Sequence, residues 1–509
     1  MMKKNALTCI VFVTLLVQTY GQKRMLAYNF EFEKSFLAKS DYDAYFLDGK
    51  NDENFAFILK DNKKADYVLV DKAFKVSSKF TVPVEQTVFD LNGETYLGGT
   101  AQNNVFNYVY KVVDKKTFSK DKIYYQLETV DFNSKSVSNK ILFEIPKEES
   151  LLISFSDNNK YFTITANDKT SELIFYTMNE NGEPLRKSLP FKVPEGKSRK
   201  KNEITEYMEG IKLVKEKEEA GLDIAIKSAK IFSLPNKLVF TMNDGDDPTH
   251  LFTVDITNFS YKENFIDHAS LFSKEEKGKS YVSSFFADEK LFALILNKKN
   301  IRVAIYDLPS GNISKTHEVN DESSFGMFAY QPVYEERRGS KAKEKEYEEI
   351  KPLIKAFTKG TEGLTVTKNK TGQYVITAGT YDMIQLSSGS SGGWVGGFQR
   401  AAPVAGSIAA PVMVWNSSLY YRPGFSGYSR TSARYYYTSY FKLLLDPKTL
   451  NVARGRVPVT TGDQIKDYLE TIDKKAKATN QFMLGENQYY GYYNRDAMAY
   501  TVEQITIRK

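Results

Sequence analysis

Apolar and polar positions alternate along most of this chain in short runs, broken every few residues by Asp, Asn, Gly or Lys. Alternation with a period of two is the mark of β-strands. One unit recurs: an apolar, aromatic run ends in Asp or a similar residue, a few turn residues follow, and another strand begins. It stands at Tyr67–Asp71, Tyr108–Asp114, Leu173–Asn179, Leu251–Asp255, Val303–Asp307, Phe441–Asp446 and Ala499–Glu503. An Asp suits that place because its carboxylate accepts hydrogen bonds from backbone amides just ahead of it and so turns the chain. Seven such strands, each beside one or two further strand-like runs, predict a repeated β-architecture.

The runs group in fours. The clearest block has strands near Ala44–Leu47, Phe55–Leu59, Tyr67–Val70 and Ser77–Val82. Further blocks run from Gln86 to Glu128, Leu151 to Phe191, Ala229 to His268 and Tyr281 to Val319. A sixth starts near Gly363 and resumes at Tyr435. A seventh takes three strands from Gln481–Ile507, and Met25–Phe36 supplies its fourth, so that no edge is left free. The expectation is an all-β fold of about seven four-stranded blades, with six and eight as the neighbouring counts. This pattern resembles the β-propeller superfamily. The resemblance is architectural, covers most of the chain and carries no Trp-Asp or Kelch signature, so it implies a fold and no particular activity.

Strand parity adds a constraint. In a four-stranded antiparallel blade, the loop from strand two to strand three and the connection to the next blade lie on one face. Insertions at 197–228, 321–359, 385–434 and 461–480 all fall on such connections, so they are expected on one face of the 22–509 domain. Three have helical character. Asp463 can cap a helix with apolar positions Ile465, Leu469, Ile472 and Ala476. Ile204, Met208, Ile211 and Val214 repeat that spacing, and the charged run Lys341–Glu349 lies beside Tyr347, Ile350 and Leu353.

Residues 1–21 read as a secretory signal: Lys3 and Lys4, an apolar Ala6–Val17, then small Thr19 and Gly21 before a cut at Gln22. That leader, with a chain rich in Lys, Asn, Phe and Tyr, resembles exported proteins of the Bacteroidetes. The implied location is the periplasm, or an outer-membrane-associated or extracellular site. Cys9, the one cysteine, lies in the leader, so the mature chain is expected to have no disulfide and no thiol chemistry. The net charge of +7 is modest and mixed along the chain, and with export this argues against a nucleic-acid partner. No later segment offers the ~20 apolar residues of a membrane-spanning helix.

Catalytic constellations are weak. Gly389-Ser-Ser-Gly-Gly393 fits the spacing of a nucleophile elbow, but no histidine follows it, since the last is His317. His250, His268 and His317 have no ligand-spaced partners. Asn243–Asp247 and Asp48–Asp52 look like fragments of calcium loops yet sit where hairpin turns are expected. Neither a metal nor a cofactor is expected. The sharpest change of composition is Gln385–Tyr437, which holds both tryptophans, four arginines, no lysine and no acid. Trp394, Phe398, Arg400, Trp415, Tyr420, Tyr421, Arg422, Arg430 and Arg434 are the candidate contact residues, because Trp, Tyr and Arg bury large areas while keeping polar handles. The expected role is a non-enzymatic binding or scaffold protein of the cell envelope, docking another envelope protein through this face. The alternative is a propeller that binds or cleaves glycans, with acids and aromatics converging at the central channel. Peripheral membrane contact through Ala401–Trp415 is a third use.

Overall fold

The computed structural model describes residues 23–505 apart from several connections, the longest being 32–42, 85–92, 321–332 and 386–433. Among the described residues seven sheets follow one another along the chain, antiparallel throughout except for one strand of the fourth. Blades one, two, three and five have four strands each, in sequence order from Asp43–Asp48, Gly93–Gln102, Ser150–Asp157 and Tyr281–Ala287. The protein is a seven-bladed β-propeller.

The middle strands explain why the blades need one another. In Asn54–Lys60 and Lys290–Leu296 nearly every residue is buried, on both faces of the sheet. Outermost strands such as Ser136–Glu144 are largely exposed. Neighbouring blades are joined by specific hydrogen bonds as well as by apolar packing. Tyr96 donates to the Phe46 carbonyl at 2.9 Å, joining blades one and two. Asn159 of blade three clamps the amide and carbonyl of Ala101 at 2.6 and 2.9 Å. Tyr374 of blade six donates to Asp288 of blade five at 2.7 Å.

The last blade uses Lys477–Leu484, Asn487–Asn494 and Ala499–Gln504, and its outer strand is Lys23–Asn29, paired antiparallel from Lys23↔Gln504 to Asn29↔Ala499. The chain therefore closes with its own beginning. Tyr28, on that N-terminal strand, donates to Asp66 of blade one at 2.8 Å, and Asp66 also accepts from Thr81. Asn480 donates to the Ala44 carbonyl at 2.9 Å, which ties the inner strands of blades seven and one.

Six of the seven Asp-closed runs are the third strands of their blades. The exception is Tyr108–Asp114, part of a second strand; the third strand of blade two is Lys122–Asp131, and Asp131 carries the turn. Asp71, Asp131, Asp255, Asp307 and Asp446 each accept from backbone amides of the following turn, at 2.7 to 3.1 Å. In four of them a residue in the left-handed region stands four places on: Lys135, Phe259, Gly311 and Leu450.

Two blades depart from the pattern. Blade four gains an innermost strand, Lys212–Lys215, which runs parallel to Ala229–Ser233. Ile204, Met208, Ile211 and Val214 are indeed buried, but only Ile204–Tyr207 is helical; the second half of the expected helix is this strand. In blade six the third strand, Arg434–Leu445, is followed by only an isolated bridge, Leu445↔Val452. Val333–Arg337, from the segment before the blade, pairs there instead, and Lys343–Lys345 adds an edge. The helix of that segment is Ile350–Phe357, past the charged run, and Lys343–Lys345 within the run is extended. Of the 461–480 segment, Gln464 and Tyr468 are helical and Ala476 is not, while Asp463, Ile465, Leu469 and Ile472 lie outside the described residues.

Two predictions follow from closure and turn chemistry. Replacing Tyr28 by Phe removes one inter-blade hydrogen bond and should lower stability by about 1 kcal/mol; an unchanged melting curve would show that the bond does not hold the seam. Hydrogen bonds from the Ser134, Thr257 and Ser310 hydroxyls and the Thr449 amide hold Asp131, Asp255, Asp307 and Asp446 below the usual carboxylate range. A carboxylate whose folded pKa is depressed stabilises the fold above its unfolded value, near 3.9, and that contribution is lost as pH falls below it. Asn keeps an acceptor oxygen and does not titrate. The fourfold Asp→Asn variant should therefore lose less thermal stability than the native protein between about pH 4 and pH 2; equal slopes would refute the turn assignment.

Candidate functional site

The site grows from what fills the channel. The segment after Tyr207 enters from the insertion-bearing face and runs as Lys212–Lys215 beside the inner strand of blade four. It turns at the opposite face and returns through a short helix, Leu222–Ala225, to Ala229. That helix packs on the inner strands of blades five and six. Ser283 of blade five donates to the Ala225 carbonyl at 3.1 Å. In blade six, a Cβ on Gly363 would come within 2.9 Å of both the Ala225 Cβ and the Ile226 amide nitrogen, so glycine permits the approach. Lys212–Ser228 thus occupies the channel on the side of blades four to six.

Buried charges accompany the fill. Lys230 is fully buried and donates to the Lys227 carbonyl at 2.7 Å; burial pushes its ammonium down to about 7. Burial also lowers Lys212 and raises Asp223, the latter partly offset by Lys212 and Lys227.

On the other side the channel stays open. A cavity of about 860 Å³ opens on the face of the short turns, between blades one, two, three, four and seven. This volume lies in the range of small-ligand sites. Charged residues from strand ends and the channel segment line it: Asp48, Asp157, Lys160, Lys187, Lys215, Glu216 and Glu218. Lys215 forms an ion pair with Glu218 at 3.4 Å. Burial would lower the Lys215 ammonium, but Glu218, Asp157 and Asp48 outweigh it and hold the group above its ordinary value. The sequence scatters these residues over positions 48, 157, 215 and 218; the fold gathers them at one channel mouth.

Turn geometry fixes the rim. Asn158 and Asn159 both take left-handed backbone angles, φ 49° and 56°, and join the first two strands of blade three in the tightest hairpin link. Asn158 donates to Asp157 at 2.9 Å, while Asn159 is held by Ala101. Aromatic walls complete the site. Phe46 and Phe482 stack with ring centres 3.7 Å apart, and Tyr96, Phe162 and Phe259 also line the cavity.

Of the sequence-derived contact residues, Trp394, Phe398, Arg400, Trp415, Tyr420, Tyr421, Arg422 and Arg430 lie outside the described residues, as does Gly389–Gly393. The backbone of Arg434 begins the third strand of blade six, opposite Gln385. This hairpin opens on the face away from the cavity. Asn243–Asp247 joins strands two and three of blade four, where Asn243 accepts from the Ser284 amide and hydroxyl. Asp48 closes a strand and lines the cavity, while residues 50–53 lie outside the described residues. Among the described residues no group of three His, Cys, Asp or Glu could hold a metal, and no helix is long and apolar enough to cross a membrane.

The histidines are structural. His250 is buried, stacked on Phe265 at 4.6 Å, with Glu263 2.8 Å from its Nε2. His268 bridges Thr249 and Tyr306 at 2.8 and 2.7 Å, and burial lowers it to about 4. His317 donates to the Leu450 carbonyl at 2.8 Å, joining blades five and six.

No protein-family model matches the chain, and no curated protein matches it. Solved structures align at low similarity. A Synechocystis apocarotenoid oxygenase mutant shows 7% identity and a TM-score of 0.27 over 53% of this chain. A xylan β-1,4-xylosidase from Bacillus halodurans shows 8% identity and a TM-score of 0.22 over 58% of this chain and 55% of its own. The WD40 domain of SCAP from fission yeast shows 8% identity and a TM-score of 0.23 over 71% of this chain and 86% of its own. The chain spans 59% of the oxygenase's length. At these scores the likenesses carry no argument about chemistry, and the architecture rests on the strand pairing described above.

The channel filling gives a further prediction. Gly363→Ala places a methyl group against Ala225 and Ile226, neither of which can swing away as a flexible side chain does. It should cost about 1–3 kcal/mol as an overpacked contact, read as a lower melting temperature. Native stability in this variant would mean that the channel segment is not seated against blade six.

Proposed function

We propose that this protein is an exported, ligand-binding propeller of the cell envelope, and that its ligand is a glycan held at the mouth of the half-filled channel. The leader pattern of residues 1–21 motivates the location. One observation supports the site: a cavity of about 860 Å³ in which carboxylates, amides and aromatic rings converge, with the half-buried Lys215 among them. Carboxylates and amides pair with sugar hydroxyls, and aromatic faces stack on the apolar faces of sugar rings. Hydrolysis would need two carboxyl groups in distinct acid and nucleophile or base roles. Asp48, Asp157 and Glu218 lie near the Lys215 ammonium, where they can accept from sugar hydroxyls, and binding is the reading we adopt. A docking role for the insertion-bearing face is the second reading, motivated by the Trp, Tyr and Arg content of 385–434.

Calorimetry with a panel of soluble oligosaccharides separates these readings. The native protein and a variant lacking 389–434 should bind the same sugar, without product release, and Asp157→Ala should weaken binding about tenfold or more, a loss of at least about 1.4 kcal/mol. Liberated reducing ends would replace the binding reading with a hydrolytic one. No sugar binding, together with a purified envelope protein held by the native form and lost by the deletion, would replace it with the docking reading.

A further inference from the structure

Besides the part around the axis, the cavity has an arm that runs outward along one blade. Its lining takes in all four strands of blade three: Asp157 ends the first, Phe162 lies on the second, Thr177 on the third, and Leu185 and Lys187 on the outermost. Phe162 pairs in register with Thr177 and Thr177 with Leu185, so these side chains share the sheet face turned toward blade four. The opposite wall is the blade-four turn Ile256–Phe259. Lys160 reaches from the second strand to the Pro235 carbonyl of blade four at 2.9 Å and sets the width of the cleft near its inner end. Leu185 remains 40% exposed at the outer end. Neighbouring strands lie about 4.8 Å apart, so the passage from first to fourth strand covers about 14 Å before the axial part is added.

We infer that the site takes a linear oligosaccharide laid radially along blade three, with several consecutive sugar units engaged. This rests on the glycan reading above and gives the ligand its length. A single hexose leaves most of that span empty, whereas a chain entering beside Leu185 reaches Asp157 and Lys215 at the channel mouth. An extended peptide fits less well. Peptides add most readily to a free strand edge, and this cleft offers a sheet face and turn tips.

The test is calorimetry on the full chain with cello-, xylo-, malto- and chito-oligosaccharides from one unit up to about six. In the series that binds, affinity should rise at least about tenfold from the disaccharide to the longest chain. Leu185→Asp should abolish that gain while leaving the disaccharide affinity unchanged; Lys187→Ala serves the same purpose if the first variant fails to melt cooperatively. Affinity independent of length, or a length gain that survives both variants, overturns the extended site and leaves the glycan reading standing. Failure of every sugar at every length overturns both. Length-dependent binding of unstructured peptides with no sugar bound assigns the cleft to peptides and overturns the inference.

Discussion

Each blade here buries both faces of its sheet, and that constraint governs the rest of the molecule. Phe57 packs toward blade seven and its neighbour Ile58 toward blade two, so the blade needs a partner on either side. The array therefore has to return on itself, and here the last blade, with three strands of its own, is completed by a strand from the start of the chain. Lys23–Asn29 is that strand: it covers the edge of Ala499–Gln504, which would otherwise offer free amides and carbonyls to another chain. Tyr28, Asp66, Asn480 and the Ala44 carbonyl add direction to what apolar packing alone would leave loose.

Closure creates a central channel, and a channel must be lined with water or filled. This protein does both, on opposite sides. Lys212–Ser228 packs against blades four to six and brings apolar residues inward: Leu213 and Val214 from the strand, Ala220 and Ala225 from the return. The same segment delivers Lys215 and Glu218 to the open side. A structural filling and a polar site are thus two ends of one insertion. The four-residue helix does not need intrinsic helical stability, because its walls hold it in place.

Much of the fold could be read from residues alone, and the failures have physical causes. Alternation and Asp-led turns marked the blades, and the leading strand's role followed from a seventh block one strand short. Val333–Arg337 escaped because it lies before the blade it completes, in a segment dense with charge, and its partners, Tyr437–Phe441 and Lys343–Lys345, are not marked by any local alternation. Lys212–Lys215 escaped because Ile204, Met208, Ile211 and Val214 carry a helical spacing, and a buried turn followed by a strand satisfies the same apolar positions. The cavity was legible only as a class of site, acids with aromatics at the channel. Its members come from five blades and an insertion, so no spacing along the chain could have gathered them.

The two faces of the propeller accordingly make different demands on sequence. On the insertion-bearing face long segments leave the blades, and the one at 385–434 holds Trp394 and Trp415. On the other face the links are short, and their backbone angles are fixed by few residues, as at Asn158 and Asn159. A short turn loses little entropy when a ligand arrives, because it has little freedom to lose. Asp157 stands beside such a turn, held by Asn158, and Asp48 ends the corresponding strand of blade one. Preorganisation of this kind favours the turn face as the place where a ligand is held, and it does so through residues whose types, Asp and Asn at strand ends, look from the sequence like ordinary turn formers.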